Sequence, residues 1–247
     1  MGFFDSIVSQ VQEAVEDVAT AAGGGDGTSP EMQAFFQELG VDKVIEGIKE
    51  ALSVAIAKAV DITGHTDGFL ANELIKISLP PQVRAFEDAL RSAGLGSIVD
   101  QFELSMNRAA EESAPLARDV FVTSIREMTV DDAQKIWRGD DKTAATTYLQ
   151  RTCTPQLTAH FAPKVSEAMD RTSLTRVYNE LTERVSPIPI IGDLFDGFNL
   201  EEYTVTQALE GLFKVMAEEE TRVRIDPASA ASSLIETVFA RQAFREE

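Results

Sequence analysis

The chain holds one cysteine, Cys153, two histidines, His65 and His160, and one tryptophan, Trp137. A lone cysteine excludes an internal disulfide, so the fold depends on no oxidising compartment. Two histidines far apart, with no Glu-x-x-His pair, offer neither a zinc nor a di-iron ligand set. Positive charge is scarce: 22 Lys and Arg stand against 41 Asp and Glu, a net charge of −19. That balance argues against nonspecific nucleic-acid binding and disfavours docking on anionic lipid. No apolar run reaches the roughly 18 residues of a membrane span, and no basic segment followed by an apolar one opens the chain. The expectation is therefore a soluble protein, cytoplasmic or otherwise, without an export signal. A phosphate-gripping glycine loop, a nucleophile elbow and a dinucleotide fingerprint are all missing, and no cofactor is implied.

What is present is helical periodicity. Phe3, Phe4, Ile7, Val8, Val11, Ala14, Val15 and Val18 form an apolar stripe opposite an acidic face without Lys or Arg. A membrane-surface helix usually carries basic residues there, so this one is expected to dock on protein. Gly2 fits an acylation pattern, but one acyl chain without a polybasic patch anchors only marginally. The run Ala21 to Thr28 is a glycine-rich linker by composition, and Ser29-Pro30 restarts a helix. The organisation expected is an amphipathic N-terminal helix over 1–20, a linker over 21–29 and a single helical domain over 30–247.

Further helices are predicted over about 41–62, 81–93 and 97–127. Thr129 to Asp132 reads as a capping-box variant. Asp140 or Asp141 is expected to cap the next helix, with a break at Thr154-Pro155 and an end near Pro163. Helices over about 164–170 and 174–185 follow. Ser186-Pro187-Ile188-Pro189 is irregular, and the best-patterned helix then carries Val205, Leu209, Leu212, Phe213 and Met216. Glu218 with Arg222 and Glu220 with Arg224 read as exposed i,i+4 pairs, and Asp226-Pro227 as the cap of a last helix. No two-residue alternation points to a strand. The fold class predicted is all-α, a bundle-like domain of about nine to eleven helices with a tethered amphipathic N-terminal helix.

The candidate site is the run Asn107, Arg108 and Glu111 beside a seam of small apolar residues. Polar groups on such a seam need partners if buried, so they predict either a helix-packing network or the polar end of a ligand groove. Tyr148, Arg151 and Tyr203 are the neighbours expected if the helices converge. The acidic groups Asp131-Asp132, Asp140-Asp141 and Glu218-Glu219-Glu220 read mainly as helix caps and solvated faces. Asp193 to Asn199 is not in the register of a calcium loop. No metal site is assigned.

Several segments together carry a resemblance. Asp67-Gly68-Phe69-Leu70, Ile75-Lys76-Ile77-Ser78-Leu79-Pro80 and Ser105 to Glu111 come first, then Met128 to Ala133 and Ala144 to Leu149. Tyr203 to Phe213, Ala217 to Glu220 and Ile225-Asp226-Pro227 complete the series. In this order, over about 42–240, they resemble a mainly bacterial family catalogued as domain of unknown function 4197. Asn72-Glu73 stands where that family usually has Asn-Pro. The resemblance implies a helical domain without an assigned activity, in a family many of whose members look exported. It brings no catalytic residue.

The leading expectation is a non-enzymatic binding or scaffold protein, holding an apolar small molecule or a partner helix in an inter-helix groove. The alternatives are a divalent-cation hydrolase using Asp and Glu, and an oligomerisation module acting through the N-terminal helix.

Overall fold

A computed structural model describes residues 39–80, 84, 86–138, 141–187, 198–230 and 232–239. The amphipathic stripe over 3–18, the linker and the Ser29-Pro30 start lie outside the described residues. Met1–Val44 and Ile45–Glu247 form separate compact units, and the helical core belongs to the second. Among the described residues the regular structure is helical, with no strand.

The helices in chain order are α1 (Val41–Gly64), α2 (Glu87–Leu90), α3 (Gly96–Ser113), α4 (Ala117–Glu127), α5 (Val130–Arg138), α6 (Ala144–Arg171), α7 (Leu174–Val185), α8 (Leu200–Ile225) and α9 (Ser233–Phe239). Among the described residues these are nine helices, seven of them nine residues or longer, and the expected N-terminal helix lies outside those residues. One predicted boundary is absent for a local reason. Residues 144–171 make one helix, α6, with Pro155 and Pro163 inside it. A helix-interior proline removes an amide donor from the carbonyl four residues back. Both prolines and the residues that lose this bond, Arg151 and Ala159, face solvent, so water can take its place. The opposite face buries Leu149, Cys153, Leu157, Phe161 and Val165, and this unbroken i,i+4 stripe carries the helix past both prolines.

Elsewhere helices are shorter than predicted. The 97–127 helix is interrupted by a 3-10 turn, Ala114–Leu116, at Pro115. The 81–93 helix is described only as α2, which runs into the π-turn Arg91–Leu95, where Gly94 at φ 83° ends the regular dihedrals. Asp226 closes α8, Pro227 opens a 3-10 turn, and Ser232 rather than Asp226 caps α9, its Oγ accepting the Ile235 amide at 3.3 Å.

α6 is the central element, packed by α3, α4, α5, α7 and α8. α8 is buried around much of its girth: Val205, Leu209, Leu212 and Met216 are covered, as are Ala208, Val215 and Val223. Between α1 and α2 the chain crosses the core without a regular repeat, yet Phe69, Ile77 and Leu79 are fully buried there. Irregular backbone buried this deeply must find hydrogen-bond partners other than its own ladder.

Candidate functional site

The partners come from one face of α3. Glu103, Asn107 and Glu111 recur every fourth residue and therefore stack along the helix. Each side chain binds backbone of the connector between α1 and α2. The Leu79 amide donates to Glu103 Oε1 at 3.2 Å, and the Ile77 amide to Asn107 Oδ1 at 2.9 Å. The Phe69 and Leu70 amides converge on Glu111 Oε1 at 3.1 and 3.2 Å. Asn107 Nδ2 donates in turn to the Ile77 carbonyl at 2.8 Å and to the Glu103 carbonyl at 2.7 Å. The asparagine thus makes three hydrogen bonds while fully buried.

Arg108 closes the end of this row. Its Nη1 donates to Glu111 Oε2 at 2.6 Å and its Nη2 to Asp67 Oδ1 at 2.7 Å. The Glu111 carboxylate, followed by Asp67, raises the guanidinium pKa above its ordinary value. Asp67 sits at φ 69°, and a Cβ on the next residue, Gly68, would collide with the Ile62 carbonyl oxygen. The Asp67-Gly68 pair therefore makes a turn that few residue pairs could make.

α8 grips the connector from elsewhere on its length. Tyr203 Oη donates to the Ser78 carbonyl at 3.0 Å, and Lys214 Nζ to the Leu74 carbonyl at 2.8 Å. Burial raises the Tyr203 phenol pKa. A Cβ on Gly211 would lie 2.5 Å from Phe69 Cε1, so the glycine lets the connector's phenylalanine reach the helix.

Of the predicted site residues, Asn107, Arg108, Glu111 and Tyr203 thus meet at one segment. Tyr148 and Arg151 serve another place: Tyr148 Oη donates to Asp132 Oδ2 at 3.4 Å, and the Arg151 guanidinium lies 6.0 Å from the Tyr148 ring centre. Burial, then Asp132, raises the Tyr148 pKa. Glu103 and Lys214 were not foreseen. The i−4 spacing of Glu103 from Asn107 was the available signal.

Asp140 and Asp193 to Gly197 lie outside the described residues, and the described acids with bonded partners take separate ones. Asp131 pairs with Lys135 at 2.6 Å, while Asp132 and Thr129 exchange hydrogen bonds as a capping box. Asp141 accepts the Thr143 amide and hydroxyl but does not cap α6. Glu220, on α8, caps it instead, accepting the Ala145 and Thr146 amides at 3.0 and 2.7 Å. Arg224 holds that carboxylate at 2.8 Å, and the pair is buried, contrary to the exposed pair predicted. Arg222 pairs with buried Glu219 at 2.7 Å. Among the described residues no group of three or more His, Cys, Asp and Glu could hold a metal ion. Cys153 is buried, its thiol donating to Ser124 Oγ at 2.9 Å. No described helix is long and apolar enough to cross a membrane.

A family model described as a protein of unknown function, DUF4197, matches residues 38–240. The chain belongs to this family. No curated protein and no solved structure matches it. Several of the segments that carried the DUF4197 resemblance meet in the structure. Asp67 to Leu70 and Ile75 to Pro80 form the connector, and Ser105 to Glu111 forms most of the face that holds it. Ala144 to Leu149 begins the helix that Glu220 caps. In this DUF4197 member the Asn/Arg/Glu constellation is a peptide clasp closed on the chain's own backbone.

Proposed function

We propose that this protein is a non-enzymatic binding or scaffold protein, and that the clasped connector is the part it presents to a protein partner. One observation carries the reading. Four side chains of α3 and two of α8 fix an irregular segment whose turn leaves Leu74 54% exposed. An apolar side chain held out on preordered backbone loses little conformational freedom on binding, which favours affinity. Asn72 sharpens the turn, its Oδ1 accepting the Leu74 amide at 3.1 Å. The polar groups expected at the end of a ligand groove act on this segment instead. The hydrolase alternative is not favoured by the carboxylate placement, in which Asp131, Glu219 and Glu220 each pair with a different cation and Asp132 and Asp141 bond local threonines.

Native mass spectrometry of the full-length protein, purified without denaturant, tests the reading. A co-purifying protein lost in Leu74→Asp, with the melting temperature unchanged, supports it. The chain's own mass alone, or a bound species indifferent to Leu74→Asp, overturns it.

A further inference from the structure

Both residues of the Asp67-Gly68 turn are fixed by their surroundings. A Cβ at position 68 would collide with the Ile62 carbonyl oxygen, so the residue must be glycine. Asp67 takes φ 69°, a conformation that aspartate tolerates better than most side chains, and its carboxylate pairs with Arg108. The fold therefore keeps an Asp-Gly pair within reach of water, the Asp67 side chain being 52% exposed. Such a pair is chemically labile, because glycine has no side chain to hinder attack by its amide nitrogen on the preceding carboxyl. A bond forms from Gly68 N to Asp67 Cγ, the carboxyl hydroxyl and the amide proton leave as water, and a five-membered imide results. Water then opens the ring at either carbonyl. Opening at Cγ restores aspartate. Opening at the main-chain carbonyl leaves the chain running through Cβ and Cγ, an isoaspartyl linkage of unchanged mass.

Both reacting groups are occupied while the clasp is closed. The Gly68 amide donates to the His65 carbonyl at 3.0 Å, and Arg108 Nη2 donates to Asp67 Oδ1 at 2.7 Å. The hydroxyl leaves only from a protonated carboxyl, and protonation forfeits the ion pair with Arg108. That guanidinium is itself braced by Glu111 at 2.6 Å. We infer that Asp67-Gly68 is a latent isomerisation site, kept unreactive by Arg108 and the His65 carbonyl. The product does not fit the clasp. Its added methylene falls just before the Phe69 and Leu70 amides that converge on Glu111 Oε1, so isomerisation frees the connector from α3 at that end. This chemistry is independent of what the connector binds.

The test is peptide mapping of the full-length protein after long incubation at neutral pH, with electron-transfer fragmentation to separate isoaspartyl from aspartyl linkages. Native wild type should isomerise at Asp67 about tenfold or more slowly than the same protein in concentrated urea, because reaction waits on local opening of the turn. The other Asp-Gly pairs, Asp26-Gly27 and Asp196-Gly197, calibrate the rate in urea. Arg108→Gln should raise the native rate at Asp67 severalfold above that of wild type in dilute urea, matched to the variant in melting temperature. Arg108→Lys, which answers the same question if Arg108→Gln does not fold, should give an intermediate rate, because an ammonium lacks the guanidinium fork. Equal rates for native and urea-unfolded wild type overturn the inference. So does a rate in the Arg108 variants no higher than in the matched wild type, which would assign the protection to global stability alone.

Discussion

Asn107 holds Ile77 by both of its backbone polar groups: the Ile77 amide donates to Oδ1 at 2.9 Å, and its carbonyl accepts from Nδ2 at 2.8 Å. One side chain thereby does for an irregular segment what a neighbouring strand does for an edge. Asn107→Leu keeps the approximate volume but strands the Ile77 amide and carbonyl in a dry interior. The expected cost is about 2–4 kcal/mol in urea unfolding, with amide exchange at Ile77 accelerating first. A midpoint within experimental error of wild type would show that the connector is held by its apolar side chains alone.

Glu220 and Arg224 make the corresponding contact at the start of α6, where the carboxylate accepts two amides and the Thr146 hydroxyl. Removing either partner leaves a buried charge alone. Glu220→Ala and Arg224→Ala should each cost about 3–5 kcal/mol. The Glu220→Leu, Arg224→Met pair should cost less than the sum of its single changes, because it buries no unpaired charge. Strict additivity across that double-mutant cycle would mean that the two side chains act independently.

Gly211 tests the packing side of the same connector. A Cβ there meets Phe69 at 2.5 Å and Ile75 at 3.2 Å, and both are core residues with little room to move. Gly211→Ala should therefore destabilise by about 1–3 kcal/mol, although alanine is the better helix former. A rise in melting temperature would show that Phe69 can shift away at low cost.

These contacts mark where the sequence was legible and where it was not. Helical class, the 174–185 helix and the Thr129–Asp132 box followed from local pattern, because local spacing decides them. The Asn107, Arg108 and Glu111 constellation was visible as polar side chains on an apolar seam, but its partner was not. Which backbone it grips, 30 or more residues away, is a tertiary fact. The same limit hid Glu220. An i,i+4 Glu-Arg pair looks alike on an exposed turn and in a core, and only the approach of α6 separates the two. Tyr148 and Tyr203 had equal claims in the sequence, and the packing of α8 and α5 sent them to different sites.

Acid should act on the α5 cap in a defined direction. The Thr129 hydroxyl, with further hydrogen bonds from the Thr129 amide and Tyr148, holds the Asp132 carboxyl below its ordinary pKa. A folded-state pKa lower than the unfolded value, about 3.9, gives stability that is present above that value. The contribution is lost as the pH falls through the depressed one. Asp132→Asn keeps an acceptor oxygen without the charge in the first helical turn, so it should be less stable at neutral pH by about 0.3–1 kcal/mol. Urea midpoints of the two proteins should converge as the pH falls through that depressed pKa. A gap that persists unchanged into acid would assign the loss to geometry, not to ionisation.

Pro155 offers a prediction of the opposite sign. The helix passes through it because the buried stripe from Leu149 to Val165 is continuous, and the missing amide falls on the solvent side. Packing therefore overrides a local preference worth about 3 kcal/mol against proline in a helix interior. Pro155→Ala restores an amide donor for the Arg151 carbonyl and relieves the ring's crowding of that turn. The unfolded chain gains conformational freedom in exchange, which offsets part of the gain by up to about 1 kcal/mol. The net expectation is stabilisation of about 1–2 kcal/mol, read as a higher urea midpoint with an unchanged m-value. Destabilisation would mean that the proline fixes a bend on which the packing of α6 against α3 and α8 depends, and the continuous stripe would then be an incomplete account of why α6 is one helix.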